Sequence, residues 1–129
     1  MEDWKIRVSV LWIAFECGMI AIGTVEAYIP GLMEANLAQM TPLSLLPLAI
    51  TMMIVPILAF LPLTLKDSMN RWVNIVAGII FAVLVAVMGG LGLFGYPAGY
   101  ALSPTVIAIV QFVFAVLIVW HAWKSKPKG

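Results

Sequence analysis

At 129 residues, 64% of them hydrophobic and 10% charged, with a mean hydropathy of +1.09, the chain is far more apolar than the roughly half-apolar composition of soluble domains. This excludes a water-soluble globular enzyme, and a net charge of +1 excludes a nucleic-acid binder. At about 20 apolar residues per crossing, the length holds four membrane spans and little else.

A single integral membrane domain over residues 1–129 is therefore expected, with an all-α fold, a four-transmembrane-helix bundle. The first span runs from about 7 to 29 and is stopped by Pro30-Gly31, which cannot continue a helix. The segment GLMEANLAQM reads as a linker. Thr41-Pro42 then has the character of an N-cap followed by a proline at the first helical position, and opens a second span over about 43–65. Pro47, Pro56 and Pro62 lie inside it, where prolines bend helices and release backbone carbonyls. The polar turn KDSMNR leads to a third span over about 72–94. After the loop GYPAGYAL, Ser103-Pro104 repeats the cap-and-proline pattern and opens a fourth span over about 104–123, followed by the tail KSKPKG.

With an even number of spans, Lys5, Arg7, Lys66, Arg71, Lys124, Lys126 and Lys128 fall on one side, so all seven basic residues share it. The positive-inside rule makes that side the cytoplasm and places both termini there. Trp4, Trp72, Trp120 and Trp123 gather at the basic end, and Tyr28, Tyr96 and Tyr100 at the other, as interfacial aromatics do. MEDWKIR is mixed in charge and no small-x-small cleavage site precedes the proline stop, so the first span reads as retained rather than as a signal peptide. The expected location is the cell membrane of a bacterium or archaeon.

The first span carries two carboxylates. Glu16 lies about nine residues in, roughly 13 Å along the helix and near the midplane of a hydrocarbon core about 30 Å thick. An acid there costs about 2.5 to 3.5 kcal/mol on insertion scales, so it must be protonated, hydrogen-bonded in the bundle or facing water. Glu26 lies close to the outer boundary, within reach of water. Taking 100° per residue, Gly23 and Ala27 share the Glu16 stripe, while Ala14, Gly18, Ala21 and Val25 form an opposite small-residue face suited to close helix packing. In the third span Asn74, Gly78, Ala82, Ala86 and Gly90 recur every four residues, a second packing ridge. The fourth span aligns Ala108, Gln111, Ala115 and Ala122, which makes Gln111 a candidate partner for Glu16 and interhelical glue. Glu16, Gln111 and Glu26 are thus the candidate intramembrane polar site.

Other chemistry is thin. Cys17 is the one cysteine, which excludes an internal disulfide and a multi-cysteine zinc site, and it reads as a small buried residue. His121, the one histidine, reads as an interfacial anchor. The glycines of MGGLGLFG follow no strand and read as packing and helix exit rather than a nucleotide loop.

KIRVSVLW near the start, AYIPG at the end of the first span, NRWVNI at the start of the third and LIVWHAW at the end of the fourth resemble a domain-of-unknown-function family of bacterial and archaeal four-span membrane proteins. The likeness covers nearly the whole chain and implies fold and topology without an activity. Where that family often carries an acid, eight residues before the glycine of the PG pair, this chain has Gly23, with Glu26 one turn further on. A first-span glutamate in a four-helix chain is also similar to the small multidrug resistance transporters. Those that form antiparallel dimers from one chain need nearly balanced loop charges, and a seven-to-none bias imposes one orientation.

Two roles follow as expectations. The first is a small non-enzymatic membrane protein that self-associates or serves as an accessory subunit of a membrane complex. The second is a proton- or cation-coupled small transporter or channel using Glu16. No nucleophile and base pair, metal cluster or cofactor motif supports an enzyme, and the expected partners are the lipid bilayer and other membrane subunits, with no nucleic acid and no cofactor.

Overall fold

A computed structural model describes residues 2–97 and 99–125, with the backbone alone for Leu93 and Phe94. Lys126 and Lys128 of the basic count lie outside the described residues. Among the described residues five α-helices follow one another: α1 (Asp3–Ala27), α2 (Leu32–Gln39), α3 (Leu45–Phe60), α4 (Asp67–Gly95) and α5 (Leu102–Lys124). Short 3-10 turns, Pro42–Ser44 and Leu61–Leu63, flank α3. Four segments are long and apolar enough to cross a membrane: Asp3–Ala27, Pro42–Leu63, Asp67–Gly92 and Leu102–Lys124. Only 17–22% of each segment's most apolar window is buried within the chain, so most of the apolar surface faces outward, as lipid solvation requires.

The boundaries follow local chemistry. α1 stops at Ala27, and Gly31 adopts φ 78°, a left-handed conformation open to glycine, so that the chain turns straight into α2. The segment expected as a plain linker is therefore largely helical. Thr41 caps the start of the second span: its hydroxyl accepts from the Ser44 amide at 3.2 Å while the Ser44 hydroxyl accepts from the Thr41 amide at 2.7 Å. Pro56 is carried inside α3, whereas Pro62 sits where the helix tightens into the Leu61–Leu63 turn. At α5 the expected Ser103 cap is corrected: the helix begins at Leu102 with Ala101 as N-cap. Pro104 still falls in the first turn, where its missing N–H costs nothing, and the Thr105 hydroxyl donates to the Ala101 carbonyl at 2.6 Å.

Packing runs in the order α3, α1, α5, α4. α1 lies between α3 and α5, α5 lies between α1 and α4, and α4 approaches α3 chiefly at the Leu61–Leu63 turn. The core sits in the half of the bundle nearer the basic end. Val8, Trp12 and Phe15 of α1 meet Val55, Leu58 and Ala59 of α3, Phe81 of α4, and Ala115 and Ile118 of α5. In the other half α3 stands away, and every residue from Met33 to Ile50 is exposed. That asymmetry opens the bundle at one end and positions the site.

Two glycines set the helix spacing. A Cβ on Gly18 would lie 2.6 Å from Gln111 Cγ, and one on Gly78 would lie 2.6 Å from Val119 Cγ2 and 3.4 Å from the Ala115 carbonyl. Only glycine permits these approaches of α1 and α4 to α5. The four-residue ridge of α4 does not continue as expected to Gly90, where an added Cβ would meet nothing within 4 Å among the described residues; one on Gly89 would meet Ala108 Cβ at 3.4 Å instead. Four-residue steps advance about 40° each on a 100° helix, so a straight ridge drifts off the contact while position 89 returns to within about 20° of Gly78. Ala14, Ala21 and Ala82 are half-buried, and Ala86 is exposed.

A cleft closed by aromatic rings

The open half of the bundle holds a cavity of about 510 Å³ between α1, α4 and α5, with Thr51 of α3 on its edge. Glu26 and Tyr96 lie at its outer end, and Phe15, Phe81 and Gln111 at its floor. The wall between them is apolar, built from residues such as Met19, Ile22, Leu84 and Met88.

Each polar member has a structural origin. Glu26 is in the last turn of α1, and Tyr96 follows the end of α4. The Tyr96 hydroxyl donates to Glu26 Oε1 at 2.6 Å and ties the two ends together. Burial, followed by the hydrogen bond and the charge of Glu26, pushes the Tyr96 phenol above its ordinary range, which keeps it a donor. At the floor Gln111 is buried against Gly18, and its Nε2 donates to the Phe15 carbonyl at 3.1 Å. Its Oε1 makes no hydrogen bond among the described residues and remains available as an acceptor.

Beneath Gln111 the cleft is closed by three rings. Trp12, Phe15 and Phe81 meet edge to face in all three pairs, with centroids 5.4 to 5.9 Å apart. Such contacts contribute about 0.5–1.5 kcal/mol per pair beyond burial. Below the rings runs a buried polar chain. Trp12 Nε1 donates to Asn74 Oδ1 at 2.8 Å, Asn74 Nδ2 donates to the Asn70 carbonyl and to Asn70 Oδ1 at 2.8 and 2.6 Å, and Asn70 Nδ2 donates to the Pro62 carbonyl at 2.8 Å. Ser9 Oγ makes a parallel contact, donating to the Ala59 carbonyl at 2.6 Å. Both carbonyls belong to the end of the second span, where helical partners run out.

Glu16 lies apart from the cleft. Gln111 was expected to meet it, but the amide instead reaches the backbone one residue earlier, because Gly18 and not Glu16 faces α5. Glu16 is seven residues from Ser9, two helical turns, so it shares the stripe that faces α3. It is half-buried, and its Oε2 is enclosed without a hydrogen-bond partner among the described residues. Cys17 is exposed, in correction of its reading as a buried residue: it shares the outward face of α1 with exposed Ile13 and Ile20. His121 is half-buried in the last turn of α5.

Sequence reading overlooked Trp12, Asn70 and Tyr96 as site members. The signal available was the spacing of Asn70 and Asn74, one turn apart at the start of an apolar span, where two amides demand a shared partner. No family model, curated protein or solved structure matches the chain, so its chemistry is read from these residues alone.

Proposed function

We propose that the chain is a non-enzymatic membrane protein that takes a small amphipathic cation into the cleft. The observation behind this reading is the distribution of charge: among the described residues Glu26 is the one charged side chain lining the cavity, while the Lys and Arg residues belong to the opposite ends of the helices. A volume of about 510 Å³ suits a small ligand with an apolar body, since pockets for such molecules span about 300–1,000 Å³. The cationic head is received by Glu26 and Tyr96, the body by the apolar wall, and a hydrogen-bonding group by Gln111 Oε1. By the positive-inside rule the mouth faces away from the cytoplasm. Passage across the membrane requires the Trp12, Phe15 and Phe81 rings to separate, so this is the closed-floor state of a carrier. The cleft carboxylate of that carrier is Glu26, with Glu16 outside the ligand path.

Equilibrium binding of tetraphenylphosphonium to the purified protein in nanodiscs tests the reading. Glu26→Gln removes a charge-assisted contact of about 1.5–3 kcal/mol and is expected to weaken binding at least tenfold. Equal binding by the two proteins would show that the cleft is not the cation site.

A second reading, a self-associating or accessory subunit, is supported by the run of exposed residues from Met33 to Ile50. A neighbouring chain seated there would cover the side on which α3 stands away from α4. A cysteine at Leu46 in a Cys17→Ser background should then form a disulfide-linked dimer in native membranes. Its failure to cross-link to itself or to any other chain counts against this reading.

A further inference from the structure

A second cavity, of about 470 Å³, lies on the outer side of the α4 and α5 pair, away from the cleft. Its walls are aliphatic and aromatic, and it runs along α5 from Phe112 to Trp123. Eleven residues of helix correspond to about 16 Å, close to half of a hydrocarbon core about 30 Å thick. The groove therefore has the length of one leaflet, beginning at the basic interface and ending near the midplane. Its depth comes from the small Ala82 and Ala86 on the α4 side.

The interfacial end of this groove is cationic. Trp120 and Trp123 form that end, and each carries a positive charge on its ring. Lys124 Nζ lies 4.3 Å from the Trp120 centroid, and Arg71 Cζ lies 5.3 Å from the Trp123 centroid. Arg71 Nη2 donates to the Trp123 carbonyl at 3.1 Å, which fixes the guanidinium against the end of α5. Its Nε is enclosed without a partner, and neither cation has a carboxylate partner among the described residues. By contrast Lys5, nearby in sequence to α1's start, is paired with Asp67. Two cations with no carboxylate partner among the described residues, at the head of an acyl-length apolar groove, call for an anion attached to a hydrocarbon chain.

We infer that the α4 and α5 groove is a binding site for one anionic phospholipid, its phosphate held by Arg71 and Lys124 and one acyl chain laid over Ala82 and Ala86. The tryptophan rings hold both cations at the groove's interfacial end. A free phosphate would meet the charges without filling the groove, and a zwitterionic lipid would fill the groove without compensating them.

Native mass spectrometry of the detergent-purified full chain, titrated with phosphatidylglycerol or phosphatidylcholine, tests the site. One phosphatidylglycerol adduct per chain is expected at concentrations where phosphatidylcholine gives little. Lys124→Gln combined with Arg71→Gln should weaken that adduct about tenfold and abolish the preference. Because Arg71 also holds the end of α5, Ala86→Phe provides a variant that leaves both cations in place; it should reduce phosphatidylglycerol binding by filling the groove. Retention of circular dichroism in each variant separates lost binding from lost fold. Equal binding of the two lipids, unchanged binding in both variants, or glycerol phosphate competing as well as the whole lipid would each overturn the inference.

Discussion

The Tyr96 hydroxyl donates to the Glu26 carboxylate at 2.6 Å, across seventy positions of sequence, and so joins the end of α1 to the end of α4 at the mouth of the cleft. Burial and the adjacent carboxylate raise the phenol's pKa above the ordinary value near 10. A raised phenol pKa stabilises the fold fully below about pH 10 and loses that contribution as pH rises through the folded-state value. The difference between ultraviolet phenolate titrations of the parent and Tyr96→Phe should therefore show a phenol that stays protonated beyond the ordinary range. Glu26→Gln should move that titration downward, since it removes the negative charge.

Gly18 and Gly78 are spacing residues, and Gly90 is not. Gly18→Ala drives a methyl into the Gln111 side chain, and Gly78→Ala drives one into Val119. Each is expected to lower stability by about 1–3 kcal/mol, the usual cost of overpacking. Gly90→Ala meets nothing within 4 Å among the described residues and should be neutral or gain up to about 1 kcal/mol from helix propensity. Thermal unfolding in detergent, followed by circular dichroism, orders the three variants.

The Trp12, Asn74, Asn70 and Pro62 chain behaves as a unit. Asn74→Leu orphans the Trp12 indole N–H in a buried site, and an unsatisfied buried donor costs about 1–3 kcal/mol. Adding Trp12→Phe removes that orphan, so the double variant should be less destabilised than the sum of the two single ones. A double-mutant cycle on thermal or denaturant unfolding measures the coupling. Strict additivity would show that the hydrogen bond contributes nothing.

The spans were legible because they rest on composition: about twenty apolar residues bounded by Pro30-Gly31, the Thr41 cap and the charged 66–71 turn leave little choice of helix. Period also placed Gly18 and Gly78 on packing faces, since 100° per residue is a property of the backbone. Which face meets which helix was not legible. Ala14, Gly18 and Ala21 looked like one row, yet only the register of α1 against α5 shows that Gly18 sits under Gln111. The same register separates Gln111 from Glu16, which depth alone had brought together. The cleft depends on α3 standing away from α4, a long-range packing outcome to which no single residue points. Tyr96 joined the site for the same reason: its partner is seventy positions distant.

Register also accounts for the setting of the mid-span carboxylate Glu16. α1 and α3 run antiparallel, and Ser9 donates to the Ala59 carbonyl at 2.6 Å. Seven residues up α1 from Ser9 is Glu16; seven residues back along α3 from Ala59 is Met52. Met52 is four residues before Pro56, so its carbonyl has lost the amide that would have bonded it. An acid with an enclosed oxygen, unpartnered among the described residues, thus lies level with a backbone acceptor deprived of its donor. Glu16→Leu removes the enclosed polar atom and is expected to raise stability by about 1 kcal/mol. Its affinity for tetraphenylphosphonium should match the parent's, because Glu16 does not line the cleft. Thermal unfolding beside the binding assay checks both statements. A marked loss of stability in Glu16→Leu, restored in Glu16→Gln, would instead identify the side chain as the donor that completes the Met52 carbonyl.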